Sequence, residues 1–125
     1  MSMANVIVAD DEDLLRWALV QRLTRDGHSV AEARDGAAAI EAVAAAAPHA
    51  VVLLDVKLPD MSGLAVLKEI RRRRPDVTVV MMTAYWASDA LAEARRLGVS
   101  VLLAKPLDLD RVAATVLAAK EIGAC

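Results

Sequence analysis

Phenylalanine is missing from the 125-residue chain, and two Trp and one Tyr complete its aromatic set. Any core is therefore aliphatic, and a hydrophobic share of 57%, rich in Ala and Val, is ample for one. A chain of this length buries roughly two thirds of its unfolded surface, so it needs no covalent staple. The single cysteine, Cys125, excludes an internal disulfide in any case. No apolar run approaches the roughly 20 residues of a membrane span, and the N-terminus lacks the basic start and apolar stretch of a secretory signal. A cytoplasmic location is expected. Neither charge dominates: 15 basic and 17 acidic residues leave a formal net charge of -2, so no broad field attracts nucleic acid. Direct binding to nucleic acid or to a membrane is not expected. Glycine and proline are few, 5 and 4, and there is no repeat or low-complexity linker. A single domain over 1–125, with its core over 5–122, is the economical reading.

What is present is an alternation of short β-branched runs with longer stretches of helical spacing, the mark of βαβ units and a parallel sheet. Strands are expected over 6–9, 29–33, 50–55, 77–82 and 99–104, the fourth ending at Thr83. The run at 50–55 is continuously apolar until its last residue, as in a central strand covered on both faces. The run at 29–33 alternates weakly and suits a sheet edge. Helices are expected over 13–26, from a cap at Asp35 to Pro48, over 63–74, over 88–97, and after a cap at Asp108. Their inward residues are expected to include Leu15, Leu19 and Leu23; Ile40, Val43, Ala44 and Ala47; Leu67 and Ile70; Leu91 and Ala94; and Leu109, Val112, Ala113 and Val116. Gly27 and Gly98 stand where helices should close. Right-handed crossovers favour an open, doubly wound α/β sheet, with its site outside the carboxyl ends of the strands where strand order reverses.

The chemistry-bearing residues all fall at that edge. Asp10 and Asp11 end the first strand and Asp55 ends the third. If those strands are neighbours, three carboxylates converge, and such repulsion calls for a cation. Oxygen-only ligands suit Mg²⁺, or Mn²⁺ in its place. Thr83 adds a hydroxyl at the end of the fourth strand and Lys105 an ammonium after the fifth. Carboxylate, metal, hydroxyl and ammonium together describe phosphoryl transfer, with Asp55 best placed as the nucleophile.

Four spaced segments carry a resemblance: Val8-Ala9-Asp10-Asp11-Glu12-Asp13, then 54–63 from Leu54-Asp55 to Ser62-Gly63, Met82-Thr83-Ala84, and Lys105-Pro106. In that order, each at an expected strand end, they resemble the receiver domains of bacterial two-component response regulators from Val6 to about Ile122. The segments Leu15-Arg16-Trp17 and Lys105-Pro106-Leu107-Asp108 look similar to receivers of nitrogen-regulatory enhancer-binding activators. The resemblance implies a flavodoxin-like fold with strand order 2-1-3-4-5. It implies that Asp55 is the phosphoacceptor, and that Asp11, Asp55 and the backbone carbonyl of Lys57 hold Mg²⁺ with Asp10 nearby. It also implies that Lys105 and Thr83 contact the phosphoryl oxygens and that Lys105–Pro106 is cis. Implied partners are a sensor histidine kinase or histidine phosphotransfer protein as donor, and an effector protein, effector domain or second copy as receiver of the signal. Output is expected through the face built by the fourth helix, fifth strand and fifth helix. Such a switch is no classical enzyme, although it catalyses its own Mg²⁺-dependent phosphorylation and dephosphorylation. The family usually places Tyr or Phe three residues before the strand-five lysine; Leu102 stands there, which bears on switching more than on chemistry. Lys57 and Tyr85 occupy positions that in this family flank the path of hydrolytic water, so the resemblance implies that they modulate the lifetime of the acyl phosphate.

Plainer expectations accompany these. Arg71 to Arg74 read as a solvated helix end that complements its dipole. His28 and His49 read as surface residues, and Trp17 as a partly covered helix residue. Trp86 reads equally well as a partner contact or as loop packing. An aspartyl phosphatase of the haloacid dehalogenase type would want an acid at Lys57, and a flavodoxin-like cofactor binder would want a first loop that is not acidic. The remaining alternative is a receiver-like interaction module that works without phosphorylation.

Overall fold

The computed structural model describes residues 4–84 and 88–124. Among them, β1 (Asn5–Ala9), β2 (Ser29–Ala33), β3 (Val51–Asp55), β4 (Thr78–Thr83) and β5 (Val101–Ala104) alternate with α1 (Asp13–Arg25), α2 (Gly36–Ala44), α3 (Gly63–Arg73), α4 (Ser88–Arg96) and α5 (Leu109–Ala124). The strands form one parallel sheet in the order β2-β1-β3-β4-β5, as expected. Strand order reverses between β1 and β3, which places Asp10 and Asp55 side by side at the carboxyl rim. In β3 every residue is buried, whereas β2 buries only its last.

Two aliphatic layers flank the sheet, and the period of two sorts the residues between them. Ile7, Val52, Leu54, Val79 and Met81 face one layer, which Val43 of α2, Val66, Leu67 and Ile70 of α3 and Ala94 of α4 complete. Val6, Val8, Leu53, Val80, Met82 and Leu103 face the other, with Leu19 and Leu23 of α1 and Val112 and Val116 of α5.

Several expectations need correction. The second helix stops at Ala44 rather than at Pro48, and Ala44 points to solvent; Ala39 and Val43 form its buried stripe. The fifth strand starts at Val101 because the amide of Val99 still closes α4, donating to the carbonyl of Ala94 at 3.1 Å. Gly98, with φ 80°, makes that turn possible. The helix α3 ends one residue early: Arg74 leaves helical geometry at φ -136° because Pro75 follows. His28 is no surface residue, being buried with its Nδ1 accepting the amide of Ala4 at 3.0 Å. His49 is exposed, as expected, at φ 62°. Trp17, at 59% exposed, is partly covered as expected, while the buried positions of α1 are Arg16, Leu19 and Leu23. The arginine run also divides. Arg72 and Arg73 pair with Glu69 on the surface. Arg71 instead donates to the carbonyls of Val77, Leu97 and Gly98 at 2.6, 3.0 and 2.9 Å. Arg74 reaches back to Val43 and Ala46, both at 2.9 Å. Arg71 thus ties the end of α4 to the turn that follows α3, and Arg74 closes the end of α2.

Candidate functional site

Each site residue is delivered by the end of a strand. The register that pairs Ala9 with Leu54 and Thr83 with Ala104 brings Asp10, Asp55, Thr83 and Lys105 to one rim. The backbone locks them there. The amide of Asp10 donates to Ala33 of β2 at 3.1 Å, that of Val56 to Met82 at 3.1 Å, and that of Lys105 to Thr83 at 2.8 Å. Gly63, at the start of α3, lies so close to Asp55 that a Cβ there would strike the Asp55 carbonyl and the backbone of Val56. Asp60 fixes the loop between them from outside, accepting the first amides of α2, Gly36 and Ala37, at 2.7 and 2.9 Å. Those two amides hold its carboxyl below the usual range.

One oxygen of each carboxylate of Asp10, Asp11 and Asp55 lies within 4.8 Å of the others, so the expected cluster is assembled. Asp10 is fully buried and Asp55 5% exposed, while Asp11 opens to solvent. The Lys105 ammonium donates to Asp10 Oδ2 and Asp55 Oδ2, both at 2.9 Å, and to Glu12 Oε1 at 3.1 Å. Burial pulls the Lys105 ammonium toward release of its proton, but bonds to Asp55, Asp10 and Glu12 outweigh that and hold it above its ordinary value. Burial pushes the Asp10 carboxyl up, partly offset by the Glu12 amide and by Lys105. The remaining oxygens are oriented by backbone: Asp10 Oδ1 accepts the Glu12 amide at 2.9 Å and Asp55 Oδ1 the Lys57 amide at 3.1 Å. A cleft of about 440 Å³ opens over the group, lined by Asp11, Glu12, Asp55, Lys57, Thr83 and Lys105 among others.

Thr83 is buried at this rim, and Lys105–Pro106 is cis, as the resemblance implied. The side chain of Lys57 is exposed, and among the described residues it makes no ion pair with the cluster. Leu102 lies away from the cleft, half-buried on β5 beside the layer of α2, α3 and α4. Tyr85 and Trp86 fall outside the described residues. Sequence reasoning missed the part of Glu12 as a third partner of Lys105, and missed Arg16. The signal for Arg16 was a cation at the spacing of Leu19 and Leu23 on the inward stripe of α1. A donor set of three convergent carboxylates, one open to solvent, fits a hard divalent cation.

An open parallel sheet with an acidic cluster and a lysine at its switch point is the architecture of a signalling switch. Residues 6–117 match the response regulator receiver domain family, and the chain belongs to it. Receiver domains work in two-component systems with histidine kinases and effector domains. The DNA-binding transcriptional regulator NtrC of Escherichia coli (strain K12) is 38% identical over 116 residues, covering 93% of this chain, which accords with the finer resemblance noted from the sequence. The chain spans about a quarter of that relative's length, 24%. Sporulation initiation phosphotransferase F of Bacillus subtilis (strain 168) is 31% identical over 112 residues, 90% of each chain. Among solved structures, a response regulator from Burkholderia pseudomallei with a phosphorylated aspartic acid, calcium ion and citrate superposes with TM-score 0.82 at 25% identity, covering 97% of this chain and 71% of the other.

Proposed function

We propose that Asp55 accepts a phosphoryl group from a phosphohistidine of a partner kinase or phosphotransfer protein, or from a small acyl phosphate. A carboxylate oxygen of Asp55 attacks phosphorus, the bond from phosphorus to the donor nitrogen or oxygen breaks, and an acyl phosphate remains until water cleaves it. Asp10, Asp11, Asp55 and the Lys57 carbonyl are the residues that would hold Mg²⁺, or Mn²⁺. Such an ion, when bound, supplies charge stabilisation to the phosphoryl oxygens. Lys105 already bridges Asp10 and Asp55, and moves its donors to the incoming oxygens when Asp55 becomes phosphorylated. Thr83, on the same rim, donates its hydroxyl to one of those oxygens. Lys57 and Tyr85, at sequence positions that in the family flank the path of water, set the lifetime of the acyl phosphate.

The observation that carries this reading is the buried Asp55 carboxylate, in contact with one lysine, beside two further carboxylates and open to a cleft. The phosphorylated aspartic acid of the Burkholderia pseudomallei relative supports it. We further read residues 1–125 as a single receiver domain that acts in the cytoplasm and binds no nucleic acid itself. It passes its state through α4, β5 and α5 to an effector protein, an effector domain or a second copy. No helix among the described residues is long and apolar enough to cross a membrane. The test is intact-mass analysis after incubation with acetyl phosphate and Mg²⁺. The wild type should gain one phosphoryl group and Asp55→Asn none; equal gain by both would remove Asp55 from the role.

A further inference from the structure

Behind the acidic rim lies a cation that the phosphoryl chemistry does not use directly. Arg16 is on α1, yet it is 8% exposed, an unusual place for a guanidinium. Its donors are spread over three elements. Nη1 donates to the backbone carbonyl of Asp10 at 2.8 Å, Nη2 to Asp13 Oδ1 at 2.7 Å, and Nε to Glu32 Oε1 on β2 at 2.9 Å. The Asp10 peptide is thereby held at both ends, since its amide is taken by Ala33 of β2. The two carboxylates that pair with Arg16 are largely solvent-facing, whereas its bond to Asp10 is buried.

From this arrangement we infer that Arg16 is a positioning residue for divalent-cation binding: it fixes the 10–13 loop from behind so that the Asp10 and Asp11 carboxylates meet that of Asp55. The inference rests on the phosphoryl-acceptor reading of the rim. Its physical basis is specific. The Asp10 carbonyl is followed directly by Asp11, so a peptide plane freed from Arg16 turns both carboxylates relative to Asp55. Groups that orient metal ligands from outside the ligand set commonly change affinity on removal by about 10-fold to 100-fold. Lysine in this place retains the charge but not the planar fork that serves three acceptors at once.

The experiment is calorimetric titration of Mg²⁺ into the wild type, Arg16→Ala, Arg16→Lys and Glu32→Gln, with thermal unfolding of each recorded in chelator and acetyl phosphate labelling followed by mass. Glu32→Gln removes the charge of one surface partner of Arg16 and leaves the bond to Asp10, so it serves as the stability control. The expected result is an affinity about 10-fold weaker for Arg16→Ala, partial recovery in Arg16→Lys, and no change for Glu32→Gln. Wild-type affinity in a folded Arg16→Ala overturns the inference while leaving the phosphoryl-acceptor reading intact. Should Arg16→Ala not fold, Arg16→Lys decides: affinity equal to wild type overturns the inference, and a weaker one at unchanged Glu32→Gln affinity supports it. Failure of the wild type itself to bind Mg²⁺ or to be labelled overturns the reading and the inference together.

Discussion

Single side chains in this molecule are governed by what burial does to their charge. At Lys105 burial works against the ammonium and three carboxylates win, so the cation is held at the rim. At His28 burial outweighs the attraction of the nearby Asp26 carboxylate. Burial holds the imidazole below its ordinary value of 6.5, and the lone pair on Nδ1 is occupied by the Ala4 amide. A depressed folded-state value contributes stability that is present above the unfolded value and is lost as pH falls through the folded one. Denaturant midpoints of the wild type should therefore drop relative to those of His28→Gln between about pH 7 and about pH 5, since glutamine keeps an acceptor but does not titrate. Parallel profiles for the two proteins would show that His28 takes up its proton as readily in the folded state as in the unfolded one, and that burial does not depress it. Composition and spacing gave no hint of this, because a histidine beside Gly27 in a turn looks the same whether the N-terminal strand covers it or not. Asp10, Asp11, Asp55 and Lys105 were legible for the opposite reason: each ends an apolar run, and strand ends converge at a switch point by topology alone.

Secondary elements show a second division, between ends set by their own residues and ends set by a neighbour. Asp35 accepts the Ala38 amide and Ser62 the Ala65 amide, so the starts of α2 and α3 follow from local chemistry and were readable in the sequence. The C-terminal ends of α2 and α4 depend on α3, whose Arg74 and Arg71 take their orphan carbonyls. Four arginines in a row read as one solvated patch because sequence does not tell which of them turn inward. Two do, spaced three apart, and two do not. Replacing Arg71 with Ala should destabilise the protein by about 2 kcal/mol, since several carbonyls lose a charged donor at once. Replacing Arg72, which among the described residues pairs with Glu69 alone, at the surface, should change stability by less than about 0.5 kcal/mol. Urea unfolding of the two variants side by side measures the difference; equal losses would return the whole run to the role of a dipole complement.

Over the whole molecule, two aliphatic layers hold a sheet whose carboxyl rim collects more negative charge than one lysine neutralises. The layers were legible because β-branched runs alternate with helical stripes; the exact helix ends were not, because tertiary bonds from α3 decide them. If the rim takes up the ion proposed for it, the unfolded chain, whose three carboxylates are far apart, has no equivalent site to offer. Binding to the native state alone raises stability by mass action, about 2.7 kcal/mol when the ion stands at 100 times its dissociation constant. Melting temperature should accordingly climb with Mg²⁺ and fall back on adding chelator. Asp11→Asn separates this from a general salt effect. Asp11 is the exposed member of the cluster, so its neutralisation relieves repulsion on Asp10 and Asp55 without opening the core. In chelator that variant should be at least as stable as the wild type, yet gain little from Mg²⁺. If both proteins gained equally, the ion would be acting somewhere other than the rim, and the three carboxylates would owe their tolerance of one another to Lys105 alone.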